Sequence, residues 1–426
     1  MAFLQIKSAN PDLSFILKKN PASGLLVKKM RRGVVFGYYS NENQTYNIFF
    51  KDAFNDISYP EYKNQQFEYV NPTRYNSSQF VLNSLNDMIR DAYKKRTDND
   101  KDGFANELVI NQAHMSSQRT LKAFKQHFED KCTIDAECVG YKQYRIAFET
   151  KQSLYYLLNL VNLFAAFNVV HNKKEYLCID NLTIEKYSNS LAVIDAPYFI
   201  RYFFKTTLFR SKKTFNIYKE RLETSSRYSI TMEFGDTHMM RMDAVNAYLD
   251  KGNHIVDVGC GEGRYIWKLA AALKGTTYHA IEPNKDQRDA VARRCKYKGI
   301  TNLELFDSMD EFLACKQKPG NYDFICSEVI EHVGLEGGAD LVRQCLDNPK
   351  ANTVVITTPN RDFNPHYFDD GLRHSDHVFE FSEHEFDCWL KGINQDRDKH
   401  ALTTMAIGDT VDGTPTTLGA VWRKKC

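Results

Sequence analysis

Residues 327–334 read SEVIEHVG and place two carboxylates and an imidazole, Glu328, Glu331 and His332, within five positions. Carboxylate oxygens and imidazole nitrogens ligate divalent transition metals. The same groups also move protons in general acid–base catalysis. On the first turn of a surface helix they would simply be solvated. If a helix begins at Glu328, spacings of three and four put all three side chains on one face. These readings separate only once the elements around the stretch are placed.

SEVIEHVG follows YDFIC (322–326), a short apolar run of buried-strand character. It belongs to a series after residue 235 in which apolar runs alternate with helical patterns, as in a parallel sheet flanked by helices. The series opens with HIVDVGCGEGRYIWKLAAAL (254–273): a strand ending at Asp257, then Gly259, Gly261 and Gly263, then a helix. Glycines there let the backbone turn sharply and approach a ligand. The second strand, TYHAIEPN (277–284), brings Glu282 to where an acid would grip ribose hydroxyls. No lysine forms a phosphate cradle, and Asp257 would repel a pyrophosphate. S-adenosylmethionine, with an amino acid and a ribose but no phosphate, fits better.

The third strand, NLELF (302–306), ends at Asp307, and the fifth is TVVITTPN (353–360). SEVIEHVG thus begins at the carboxyl end of the fourth strand, where ligands gather in open parallel sheets. A polar loop, 361–381, then supplies His366, His374 and His377. Five of the chain's twelve histidines lie between 332 and 384. Two carboxylates with one or two imidazoles suit manganese, iron or cobalt, and the absence of a neighbouring cysteine argues against structural zinc.

Bulk properties say less. The chain has 426 residues, 42% hydrophobic and 26% charged, with a net charge of +2, which excludes any global pull towards nucleic acid or membrane. Ten cysteines without a CxxC pair fit a reducing compartment. No charged-then-apolar leader opens the chain, so a cytoplasmic protein without a membrane span is expected. The longest apolar stretch (153–170) is interrupted by Asn159, Asn162 and Asn168 and reads as a buried amphipathic helix. DNDKDG (98–103) starts like a calcium loop but has Val109 at the twelfth position, so a solvated loop is expected.

From HIVDVGCGEGR through SEVIEHV, TTPNRDFN and LRHSDHVFEFSEHEF to IGDTVDGTPTTLGAVWR, residues 235–426 resemble the HUA-ENHANCER-one family of RNA 3′-terminal ribose 2′-O-methyltransferases. The first half resembles the amino-terminal region of its bacterial branch, in NPDLSFILKKNP (10–21), FEYVNPTRYNSSQFVLNSLNDMI (67–89) and, more loosely, residues 153–180.

The resemblance implies an α/β fold: a Rossmann-like, doubly wound, mostly parallel methyltransferase domain over 230–426, preceded by an α+β interaction domain over 1–225. It implies that Glu328, Glu331, His332 and His377 ligate one divalent ion, manganese by preference with magnesium as the alternative. Asp257, Gly259, Gly261, Gly263 and Glu282 would hold S-adenosylmethionine, with Asp307, Ser308 and Ser327 lining its pocket. Some relatives carry a histidine where this chain has Ser375, next to the aspartate of the loop, but His377 occupies the ligand position.

A cation lowers the pKa of a bound hydroxyl, and a 2′,3′-diol can chelate it. Such a site would select the free 3′ end of RNA, single-stranded or in a tRNA fragment, and the 2′ oxygen would take the methyl group. His332 would double as proton acceptor. Arg373 would either meet the terminal phosphodiester or shape the loop. The first half would dock on a polynucleotide kinase–phosphatase with ligase activity in an RNA repair complex. Its basic stretches KKMRRG (28–33) and FRSKKTF (209–215) read as solvated rather than RNA-bound. Two other readings stay open: a small-molecule methyltransferase, and a scaffold with a vestigial cofactor fold.

Overall fold

The computed structural model describes residues 2–30, 33–51, 76–172, 181–273, 275–367, 372–395 and 399–425. Arg31 and Arg32 of the first basic stretch, residues 67–75 and 173–180 of the family-like segments, and residues 368–371 of the histidine loop lie outside the described residues. The chain forms two compact units: Met1–Phe204 with Glu220–Ser226, and Lys205–Lys219 with Arg227–Cys426.

The first unit carries β1 (Ala2–Ser8), β2 (Leu26–Met30), β3 (Gly33–Ser40), β4 (Thr45–Lys51), β5 (Asn106–His114), β6 (Thr133–Gly140) and β7 (Gln143–Thr150). They form one antiparallel sheet in the order β2-β3-β4-β1-β5-β7-β6. Strict alternation of burial along AFLQIKS in β1 is the sign of a sheet with one face on the core.

Helix Leu154–His171 is the long apolar stretch. It is buried, but apolar on all sides rather than amphipathic: 15 of its 18 residues are buried. Its asparagines are core residues with partners, which is how a polar group survives burial. The Asn159 amide donates to Tyr93 O and accepts from Ser190, and that of Asn168 donates to Ser78 and His114 O. The DNDKDG loop is not merely solvated either. Buried Asp100 accepts from the Leu154 and Tyr155 N–H groups, and Asp102 from that of Ser153, so the loop caps this helix.

The second unit carries β8 (Ile230–Thr231), β9 (His254–Val258), β10 (Tyr278–Ile281), β11 (Leu303–Phe306), β12 (Tyr322–Ser327), β13 (Ala351–Pro359), β14 (His400–Val411) and β15 (Thr414–Lys424). The order is β11-β10-β9-β12-β13-β15-β14-β8. The five strands from β11 to β13 are mutually parallel, while β15, β14 and β8 add antiparallel. This is the Rossmann-like, mostly parallel sheet expected. All five residues of β9 are buried, as a strand covered on both faces must be. The strand order reverses between β9 and β12, which opens a crevice at their carboxyl ends.

A buried ion pair anchors residues 205–219 in this unit. Lys205 Nζ meets Asp409 Oδ2 at 2.6 Å, and Asp409 Oδ1 also accepts from the Glu233 N–H. In the second basic stretch Phe209 and Phe215 are buried edge to face, while Lys212 and Lys213 are exposed.

Candidate metal and cofactor site

The loop after β9 is built from left-handed backbone: Gly259, Gly261 and Gly263 have φ of 71°, 54° and 76°. A Cβ on Gly259 would stand 2.7 Å from Val329 Cγ2, so a side chain is excluded there by conformation and by contact. A Cβ on Gly261 would meet only Gln287 Oε1, at 3.7 Å, leaving space above the loop for a ligand. Glu282 ties the loop to β10, its Oε2 accepting from Gly261 N–H at 2.8 Å and its Oε1 from Asn284 N–H at 2.9 Å. Lone pairs remain on both oxygens for ribose hydroxyls.

Asp257 is buried under the loop. The Tyr278 hydroxyl donates to its Oδ2 at 2.7 Å. Burial, and then the charge of Glu282, push its carboxyl up to about 7 against that hydrogen bond. Ser308 accepts from Glu311 N–H and donates to Asp307, and the Glu311 carboxylate accepts from Asp307 N–H. Ser308 is thus first of all the cap of helix Met309–Ala314. These glycines and carboxylates fit a cofactor that presents hydroxyls rather than phosphate.

The stretch that opened the sequence reading is not one helix. β12 runs to Ser327, and Glu328 follows with φ +57°, so the helix holds only Ile330–Val333. A shared face beginning at Glu328 therefore does not form. Its carboxylate is engaged elsewhere: Oε2 pairs with Arg241 Nη1 at 2.9 Å, and Oε1 accepts from Thr357 Oγ1 at 3.2 Å.

Glu331, His332 and His377 do converge, each offering a ligand atom within 4.8 Å of the others. Glu331 is fully buried. Thr358 Oγ1 donates to its Oε2, while Oε1 is buried without a hydrogen-bond partner. Burial, then the charge of Glu328, push this carboxyl well up. His377 Nδ1 lies 2.6 Å from Glu380 Oε1, and His332 Nδ1 lies 3.2 Å from Asp376 O. Each ring therefore has Nε2 left over. An orphaned carboxylate oxygen between two imidazoles oriented through their other nitrogens is the donor set of a divalent metal, and these residues fit one.

Of the five clustered histidines, the fold brings together three. The His374 ring lies 5.3 Å from that of His377. His366 packs instead on Phe363 and Tyr228, and His384 faces Cys388 within helix Glu383–Asn394. Arg373 shapes the loop: its guanidinium donates to Asn364 Oδ1 and to the carbonyls of Asn360 and Thr416.

Sequence reasoning missed Arg241, Tyr265, Thr357, Thr358 and Glu380. Two signals could have found some of them. Consecutive threonines lie near the end of the strand next to the metal stretch, and a carboxylate stands three residues after His377. Arg241 and Tyr265 carry no such signal.

Comparison with known proteins bears on the chain as a whole. The sequence profile of the Hen1 N-terminal domain matches residues 3–227, and that of a methyltransferase domain matches residues 239–395. A small RNA 2′-O-methyltransferase of Xenopus tropicalis is 25% identical over 167 residues, 37% of this chain and 45% of that protein. One from Tetrahymena thermophila is 29% identical over 175 residues, 36% of this chain and 41% of that protein. The chain thus spans less than half the length of these curated relatives. Among solved structures, a chain of the Pnkp1/Rnl/Hen1 RNA repair complex shares the fold with a TM-score of 0.82 and 24% identity, covering 99% of this chain and 100% of that one.

Proposed function

Since the chain belongs to the Hen1 family, its Hen1 N-terminal domain spanning more than half its length before a methyltransferase domain, we propose that it methylates the 2′ hydroxyl of the 3′-terminal nucleotide of RNA. The methyl donor is S-adenosylmethionine, and the transfer depends on a divalent ion, manganese by preference. The observation that carries this reading is the orphaned Oε1 of Glu331 beside His332 and His377, at the carboxyl edge of the sheet that bears the glycine loop.

In this reading Glu331, His332 and His377 hold the ion, with Glu328 as fourth ligand once its carboxylate leaves its present partners. When bound, the cation would lower the pKa of the terminal ribose hydroxyls and orient them as a chelated diol. Thr358 holds Glu331 from one side, and Glu380 and Asp376 hold the two imidazoles in their seats, so the ligands pay little ordering entropy on binding. Gly259 to Gly263 and Glu282 hold the cofactor, so that alignment of methyl and hydroxyl does most of the catalytic work. An internal nucleotide lacks the free 3′ hydroxyl and a DNA end lacks the 2′, so the same geometry selects an RNA terminus.

The amino-terminal half, in this proposal, docks on a kinase–phosphatase/ligase repair protein. What supports it is the likeness across nearly the whole chain to a component of an RNA repair complex. Methylation there would protect the sealed junction, because the 2′ hydroxyl is the nucleophile in ribonuclease cleavage.

The test is transfer of labelled methyl to short RNAs ending in a 2′,3′-diol, a 2′-deoxyribose or a 3′-phosphate, with manganese or with chelator, beside Glu331→Gln. Incorporation confined to the diol, with metal present and Glu331 intact, is the expected result. Chelator-insensitive transfer, or transfer to small acceptors in place of RNA, would return the small-molecule reading.

A further inference from the structure

Four side chains form a continuous hydrogen-bonded chain between the glycine loop and the metal stretch. Tyr265, in the first turn of the helix that Gly263 opens, has its hydroxyl 3.0 Å from Ser327 Oγ. Ser327 Oγ lies 2.8 Å from Thr357 Oγ1, which donates to Glu328 Oε1 at 3.2 Å. Ser327 and Thr357 are register partners at the ends of β12 and β13, so the sheet holds the two middle members in place.

The proton order along this chain is determined. Glu328 pairs with Arg241 through Oε2 and accepts from Thr357 through Oε1. Thr357 must spend its single proton on Glu328, Ser327 must then donate to Thr357, and Tyr265 to Ser327. Every hydroxyl points towards Glu328. Such chains polarise one another and respond as a unit.

Glu328 does not belong to the Glu331, His332 and His377 cluster in its present seat, so its carboxylate must turn to reach an ion held there, and the turn disturbs the hydrogen bond it accepts from Thr357. If Thr357 is released, its proton has an acceptor 2.8 Å away in Ser327. Donation then reverses along the chain, and the Tyr265 proton is left for another acceptor. A cofactor group able to accept it favours the seat of Glu328 that ligates metal, and by linkage the metal must favour the cofactor equally.

We infer that Tyr265, Ser327 and Thr357 are positioning residues that couple cofactor binding to metal binding through Glu328. This rests on the metal and cofactor reading of the site given above. None of the three carries a charge, so the coupling is separable from simple electrostatics between the two ligands.

The experiment is calorimetric titration of manganese into the full chain, with and without saturating S-adenosylhomocysteine. The proteins are wild type, Tyr265→Phe, Thr357→Val and Thr357→Ser, each checked by its thermal melt. The expected result is a manganese affinity raised at least about five-fold by the nucleoside in wild type, the lower end of ordinary coupling between sites. That ratio falls to near one in Tyr265→Phe and Thr357→Val, and returns in Thr357→Ser, which keeps the hydroxyl. A wild-type ratio near one, or an undiminished ratio in both Tyr265→Phe and Thr357→Val, overturns the inference while leaving the metal site standing. Wild type that binds no manganese in either condition overturns the metal reading and this one with it.

Discussion

Thr358 Oγ1 donates to Glu331 Oε2 at 3.1 Å, while the other oxygen of that buried carboxylate has no partner. A buried, half-satisfied carboxylate is costly unless a cation meets it. Manganese should therefore stabilise the folded protein, by about 2.7 kcal/mol at a concentration a hundred times its Kd. Thermal melts with manganese and with chelator check this. The shift should vanish in Glu331→Gln, and an equal shift in that variant would place the ion elsewhere.

Glu380 contacts His377 Nδ1 at 2.6 Å and also accepts from the Asn364 amide and Arg373 N–H. It sets the imidazole rather than the ion. Glu380→Gln should weaken manganese binding roughly ten- to a hundred-fold, as losing an outer partner of a ligand usually does. Calorimetry would measure it, and an unchanged affinity would mean that packing alone orients His377.

Asp257 should make the stability of the second unit depend on pH. Its folded value of about 7 lies above the ordinary 3.8, so the folded chain keeps a proton that the unfolded chain releases. Stability is then fullest below about pH 4, falls as pH rises towards 7, and levels off above. Asp257→Asn escapes this loss. In urea unfolding the variant should gain on wild type between about pH 4 and pH 7, by about 1.4 kcal/mol for each pH unit in that window, and keep that lead above it. A gap independent of pH would contradict the burial argument.

Gly259→Ala meets two obstacles, a positive φ and Val329 Cγ2 at 2.7 Å. Melting temperature and cofactor affinity should both fall. Adding Val329→Ala should recover the part due to contact and leave the conformational part, about 1–2 kcal/mol. If the second substitution restores nothing, the contact is not what excludes a side chain there.

The Lys205–Asp409 pair, with both side chains almost wholly inaccessible, should be costly to break on one side. Asp409→Ala leaves a buried ammonium group and removes the acceptor for Glu233 N–H, so a loss of roughly 3–5 kcal/mol is expected in denaturant unfolding. A loss below 1 kcal/mol would mean that water reaches Lys205.

Local patterns carried much of this protein. Strand, glycine turn and helix over 254–273, the acid at the end of the second strand, and an oxygen/nitrogen ligand set at the end of the fourth are all short-range features. Strand burial, tight turns and helix spacing are decided within a few residues, so these were legible in the sequence, as was the family resemblance that spans them.

The tertiary structure decided what those groups touch. Glu328 leaves the helix for a left-handed seat between Arg241 and Thr357, and of the other four clustered histidines His377 meets His332 while His374 meets only His377. Asp100, which resembles a calcium ligand, caps a helix more than fifty residues away. Each such pairing joins residues distant in the chain, and its existence depends on which strands lie side by side and in what register. Spacing along a chain encodes neighbours within a turn or two. The register that sets Ser327 beside Thr357, and through it Glu328 beside the cofactor loop, exists only once the sheet has closed.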